Sequence, residues 1–234
     1  SDVCSSDLTG PDTEKLIAVY TELEFNSFIK KLQSGMQGTD EVSSVSVTNG
    51  FTEKIASIKV SALEDFLSSV SRGSEVYIET AANANHIGEP EIRCICLYSA
   101  DTDTACIREL TPMDSAPVIG QIAERAYRLC GCGLKQTLYS LLAAAPEAEW
   151  YPCYDAEIAE YLLDANRQKY TLDKMLLRYA GAALSESEAA LLSDASSDTL
   201  SIDPADLLRR AFYVSAVRPE QQRLLGDNGL SELF

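Results

Sequence analysis

Glu79 lies in the β-rich run Glu75 to Thr80, within Tyr77-Ile78-Glu79-Thr80, and Asp155, Glu157 and Glu160 fall within one short stretch. Clustered carboxylates are what a protein uses to hold hard divalent cations or to act as an acid–base pair. Asp155 and Glu157, however, lie on a segment of helical periodicity, where residues two apart diverge by about 200° and do not face each other. That geometry removes them as a paired glycosidase-type acid set. It predicts that Asp155, Glu157 and Glu160 form a solvated helix face.

Thiols are the second candidates. The seven cysteines stand at 4, 94, 96, 106, 130, 132 and 153. Cys94-x-Cys96 and Cys130-x-Cys132 place one residue between thiolates, whereas zinc ligands on one ion are usually separated by about two to four. His86, the single histidine, sits in an Asn-rich turn where a solvent-exposed loop role is expected, so neither zinc nor Cys–His catalysis is supported. An odd cysteine count without a secretory leader predicts reduced, mostly buried thiols. No Gly-x-Ser-x-Gly elbow, phosphate-binding P-loop or dinucleotide fingerprint occurs.

The elements that must position these residues follow from periodicity. Residues 12–32 carry apolar side chains at helical spacing, and the Gly/Ser/Thr-rich stretch after them has the composition of a flexible connector. Ile55 to Val60 is expected to be a strand, and Ser61 with Glu64 a capping box opening a helix over 62–70. Residues 75–80, 91–99 and 104–110 read as a three-stranded meander. Helices are expected over 118–129, 134–145, 155–163, 172–179, 186–192 and 204–225, with a kink or break near Val217 caused by Pro219.

Composition bounds the partners. With 19 Lys+Arg against 36 Asp+Glu, the formal charge of −17 repels a phosphate backbone, so weak or no DNA binding is expected of the chain alone. No run of about 18 apolar residues is present, so no membrane association and a cytoplasmic location are expected.

Three stretches carry a resemblance. Tyr154-Asp155-Ala156-Glu157-Ile158-Ala159-Glu160-Tyr161-Leu162-Leu163-Asp164, with Tyr170-Thr171-Leu172-Asp173 and Leu177-Arg178-Tyr179, is similar to a helix pair of the DnaQ-like exonuclease domain in family A DNA polymerases, the bacterial DNA polymerase I type. Glu14 to Leu32, with the run Thr21-Glu22-Leu23-Glu24-Phe25-Asn26-Ser27-Phe28-Ile29-Lys30-Lys31-Leu32, resembles the segment closing the 5′-nuclease region of those polymerases. Gly131-Cys132-Gly133-Leu134-Lys135 resembles their Gly-x-Asn-Leu-Lys-Tyr-Asp motif.

The resemblance implies an α/β fold of the RNase H-like, DnaQ-like type: a small mixed sheet packed by several helices, with an N-terminal helical appendage. It divides the chain into a non-native or disordered leader (1–9), the helical end of the 5′-nuclease region (10–34), a flexible linker (35–53) and a degenerate 3′–5′ exonuclease-like domain (54–234). Proofreading in this family uses two metal ions about 4 Å apart, held by clustered acids. Carried over position by position, those acids fall on Tyr77, Glu79, Thr137 and Ala216, and the family's tyrosine falls on Phe212. Glu79 alone retains a carboxylate. The expectation is therefore a domain with no cofactor and no catalytic activity of its own, a scaffold between the 5′-nuclease and polymerase domains of one parent chain. Mg²⁺ chemistry and DNA contact would belong to the parent. The alternative is an active metal-dependent 3′–5′ exonuclease with a non-standard acid set. The apolar end of the chain is expected to pack on a following polymerase domain, with an exposed apolar patch near Leu225 to Phe234.

Overall fold

The computed structural model describes residues 46–84, 90–166, 169–185, 188–189, 192 and 203–233. All belong to the second of the two units into which the chain divides, Val45–Phe234. The helix expected over 12–32, the His86 turn and most of the helix expected over 186–192 lie outside the described residues.

In chain order the elements are α1 (Ser46–Ser57), β1 (Lys59–Ser61), α2 (Leu63–Ser69), β2 (Glu75–Ala84), β3 (Pro90–Ser99), β4 (Thr104–Glu109), α3 (Ser115–Ala123), β5 (Arg128–Gly131), α4 (Leu134–Ala144), β6 (Tyr151–Asp155), α5 (Ala156–Leu163), α6 (Leu172–Met175), a π-helical turn (Leu176–Ala180) and α7 (Pro204–Asp227). The strands form one mixed sheet in the order β1-β4-β3-β2-β5-β6. β2, β3 and β4 are the antiparallel meander read from the sequence, while β1 joins β4, β5 joins β2 and β6 joins β5, all in parallel.

Period-two alternation gives the sheet two cores. Val76 and Ile78 of β2 pack with Ile95, Leu97, Cys106 and Leu129 under α2, α3 and α4. Tyr77 turns the other way and packs with Cys94, Cys96, Tyr98, Cys130 and Tyr154 under α5, α6 and α7. Burial on both faces explains why the central strands read as nearly continuous apolar runs.

Several expectations are corrected. Residues 55–57 are helical rather than extended, because Phe51 and Ile55, four apart, share the α1 face that packs on the α7 core. The Phe51 and Phe212 rings lie 5.6 Å apart, edge to face. Since α1 starts at Ser46, it also occupies part of the stretch read as linker. The capping box does not form: Ala62 is the N-cap of α2, and Ser61 ends β1 with its hydroxyl donating to the Ala105 carbonyl. The helix expected over 118–129 ends at Ala123. Ala126 takes the left-handed conformation (φ 50°), and the chain re-enters the sheet as β5 beside β2.

Helix α7 runs through Pro219 without a break. Proline removes one amide donor, but its ring is exposed, and Val214, Val217, Gln221 and Leu225 bury the opposite side of the helix on both sides of it. The apolar patch near the C-terminus is also reduced: Leu225 is buried and Leu230 packs on the core, leaving Leu233 exposed.

Candidate functional site

Tyr77 and Glu79 project from β2 onto the α7 face of the sheet, as strand alternation requires. Glu79 is 5% exposed, and its Oε2 accepts from Nε of Arg210 at 3.1 Å. Arg210, 8% exposed on α7, also donates through Nη1 to the Leu192 carbonyl at 2.8 Å. Glu79 Oε1 has no hydrogen-bond partner among the described residues. Burial pushes the Glu79 carboxyl above its ordinary range, and the guanidinium opposes that shift. The Cys132 thiol, close to the same pair, is pushed up by burial and by the Glu79 charge.

Two turns further along α7, Arg218 reaches the start of β2. Its Nη1 donates to Glu75 Oε2 at 2.6 Å and lies 3.4 Å from the Tyr77 hydroxyl, and the guanidinium stacks 5.0 Å from the Tyr154 ring centre. Glu75 is held below its usual range mainly by that hydrogen bond. Arg210, Val214 and Arg218 are spaced by four and form the α7 stripe that meets β2. Of the other sequence-predicted positions, Phe212 is buried beside Tyr98, with ring centres 6.2 Å apart. Ala216 is half-buried on α7. Thr137 is buried on α4 on the stripe of Leu134 and Leu141, which pack with Val76 and Ile78 on the far side of β2 from Glu79. The structure therefore gathers Tyr77, Glu79 and α7, but not Thr137.

The expected solvated face of α5 is corrected as well. Asp155 is 7% exposed because it is a cap for two helices. Its Oδ1 accepts from the Gly133 amide at 3.0 Å and the Glu157 amide at 2.9 Å, and its Oδ2 from the Leu134 amide at 2.7 Å. These are helix N-terminal donors that would otherwise be unpaired. Gly133 supplies the left-handed φ of 73° at the α4 N-cap, and a Cβ there would lie 3.2 Å from Glu157 Oε2. Glu160 is 1% exposed and accepts from Arg178 at 3.2 Å and from Gln221 at 3.0 Å. Gln221 in turn receives the Tyr154 hydroxyl through Oε1 and donates to the Ala156 carbonyl. Tyr154, Asp155, Glu160 and Arg178 thus have structural partners that tie α4, α5, the π-helical turn and α7 together. Glu157 stays exposed.

A two-metal site needs several carboxylate oxygens converging on hard cations. Here the oxygens of Asp155 are taken by three amides, Glu79 is paired with a guanidinium, and Tyr77, Thr137 and Ala216 bring no carboxylate. Among the described residues no group of three His, Cys, Asp or Glu side chains is arranged to hold a metal ion. Among the described residues, this donor set does not fit a metal pair.

No known protein-family profile matches the chain, and no curated protein matches it. Solved structures do. The POL domain of Pol1 from M. smegmatis, in complex with DNA primer-template and dNTP, superposes with a TM-score of 0.52 at 18% identity over 75% of this chain and 28% of its own. Brucella melitensis NrnC gives 0.54 at 16% identity over 69% of this chain and 78% of its own. Escherichia coli RNase D, an exoribonuclease involved in structured RNA processing, gives 0.55 at 13% identity over 74% and 46%. The fold is that of the DnaQ-like, RNase H-like 3′–5′ exonucleases. Within that fold, the arginines of α7 are what the sequence reading missed. The available signal was Arg210 standing three residues after Leu207 and four before Val214, on the helical stripe those two apolar residues mark as buried. No helix of the described residues is long and apolar enough to cross a membrane.

Proposed function

We propose that this chain is a nuclease-fold domain without metal-dependent hydrolysis, serving as a structural element between the 5′-nuclease and polymerase domains of a bacterial DNA polymerase I. The observation that carries the reading is the buried pair of Glu79 with Arg210. The one acid that survives at the exonuclease positions is neutralised by a side chain of the same molecule. The three motifs of the sequence supply the polymerase context, and the shared fold with Pol1 is compatible with it. In this reading DNA synthesis for replication and repair, and its Mg²⁺, belong to the parent's polymerase domain. The formal charge of −17 supports little DNA affinity in the chain itself. The same reading assigns residues 1–9 to a leader, 10–34 to the end of the 5′-nuclease region, and a linker ending before Ser46, in a cytoplasmic protein.

A second reading, a working 3′–5′ exonuclease using a non-standard acid set, draws on the proximity of Asp155 to Glu79 and Glu157, each of whose carboxyls it helps to push upward. Titration of the full chain with Mg²⁺ and Mn²⁺ by calorimetry, paired with a single-stranded DNA degradation assay, separates the two. No heat of binding and no shortening of DNA is the expected result. Metal binding with DNA shortening that disappears in Glu79→Ala would overturn the scaffold reading.

A further inference from the structure

Away from Glu79, on the edge of the sheet formed by β5 and β6, two thiols face each other. Cys130 Sγ lies 3.4 Å from Cys153 Sγ. The contact results from an irregularity in strand pairing. Leu129 aligns with Pro152 and Cys130 with Tyr154, so Cys153 is an extra residue in β6, and it joins the α7 face of the sheet with Cys130. Neighbouring strands lie about 4.8 Å apart, inside the roughly 4.4–6.8 Å window of Cα separations that a disulfide spans.

The two sulfurs differ in access. Cys130 is fully buried, and Arg218 Nη1 lies 3.3 Å from its Sγ. Cys153 is partly exposed, with Glu75 Oε1 4.0 Å from its Sγ. The Cys153 thiol is lowered to about 7, chiefly by its hydrogen bond with Cys130. The Cys130 thiol is raised by the same hydrogen bond and by burial. Accessible thiolate character marks the sulfur that meets an oxidant first, and a second thiol in contact is the one that resolves it.

We propose that Cys130 and Cys153 form an oxidation site that a hydroperoxide converts to an intramolecular disulfide between β5 and β6. In the first step the Cys153 thiolate attacks the terminal oxygen of the hydroperoxide. An S–O bond forms and the O–O bond breaks, and the departing alkoxide leaves as an alcohol with the proton Cys153 released. In the second, Cys130 Sγ attacks the Cys153 sulfenic sulfur. The S–S bond forms, the S–O bond breaks, and hydroxide leaves as water with the Cys130 proton. The thiol pair loses two electrons and the hydroperoxide gains them. The product ties edge strand β6, and α5 directly after it, covalently to the neighbouring strand β5.

The test uses the full chain, reduced and then exposed to hydrogen peroxide, with remaining thiols blocked before trypsin digestion and mass spectrometry. The expected result is a dithiothreitol-sensitive link between peptide 129–135 and peptide 136–167. The link should persist in Cys132→Ser, which keeps Cys130, and vanish in both Cys130→Ser and Cys153→Ser. The cross-linked chain should melt about 7–14 °C higher than the reduced one, since the bridge closes a loop of about 24 residues in the unfolded state. A link that survives Cys130→Ser, or Cys153 recovered only as monomeric sulfinic acid in the unmutated chain, would overturn the proposal.

Discussion

Replacing Arg210 by Met removes the guanidinium beside Glu79 while keeping an apolar stem in the α7 stripe. The remaining carboxylate is then a buried charge without a partner, and breaking such a pair costs roughly 3–5 kcal/mol. Protonation limits the cost. Neutralising a glutamate whose ordinary value is 4.5 at pH 7 spans two and a half pH units, at about 1.36 kcal/mol each, or about 3.4 kcal/mol. Loss of the hydrogen bond to the Leu192 carbonyl adds about 1 kcal/mol. The sign of the pH dependence follows from the direction of the shift. In the variant Glu79 has its folded value far above its unfolded one, so the folded state binds a proton that the unfolded state does not at pH 7. The variant's deficit should therefore be largest at pH 7 and shrink toward about 1 kcal/mol as pH falls to 4.5. Urea unfolding followed by circular dichroism at pH 7.0, 6.0 and 5.0 measures this directly. In the double variant Glu79→Gln/Arg210→Met the pH dependence should disappear, and the loss at pH 7 should be smaller than in Arg210→Met alone. A deficit below 1 kcal/mol at pH 7, or one that does not change with pH, would show that Glu79 is not a desolvated charge and that the pair does not neutralise the site.

Asp155→Ala deprives the Gly133, Leu134 and Glu157 amides of their acceptor, and is expected to lower stability by about 2–3 kcal/mol in the same urea assay, with Asp155→Asn losing less. Glu75 is held below its usual range by Arg218, so its contribution is present above pH 4.5 and is lost as pH falls through the depressed folded value. Thermal melts from pH 6 to 3 should accordingly be flatter for Glu75→Gln than for the unmutated chain, and parallel curves would remove the Glu75–Arg218 pair as a contributor.

Much of the architecture was legible locally. The meander β2-β3-β4, helix α4, α5 after Asp155 and the long α7 are written in periods of two and 3.6 and in the residues that punctuate them. Strands β5 and β6 were not, because Arg128–Gly131 and Tyr151–Asp155 are short and acquire their meaning only by pairing in parallel, β5 with β2 and β6 with β5. A parallel partner comes from far along the chain and leaves no local signature. The helix α1 was misread for a related reason: Ile55 and Ile58 fit either period, and the choice was made by Phe51 meeting Phe212.

At the site, residue identity was enough to say that Tyr77, Thr137 and Ala216 bring no carboxylate, since no fold can create an acid where the side chain has none. It could not say what the remaining acids do. Asp155 and Glu160 look like surface charge when their own helix is considered alone. They are buried because the N-terminus of α4 and the side chains of Arg178 and Gln221 are brought to them from other elements. The pairing of Glu79 with Arg210 spans 131 positions, and the thiols of Cys130 and Cys153 meet only because one extra residue in β6 turns Cys153 onto the face of its neighbour. Charge compensation and contact are properties of distance in space, and over such separations only the packed sheet and α7 determine that distance.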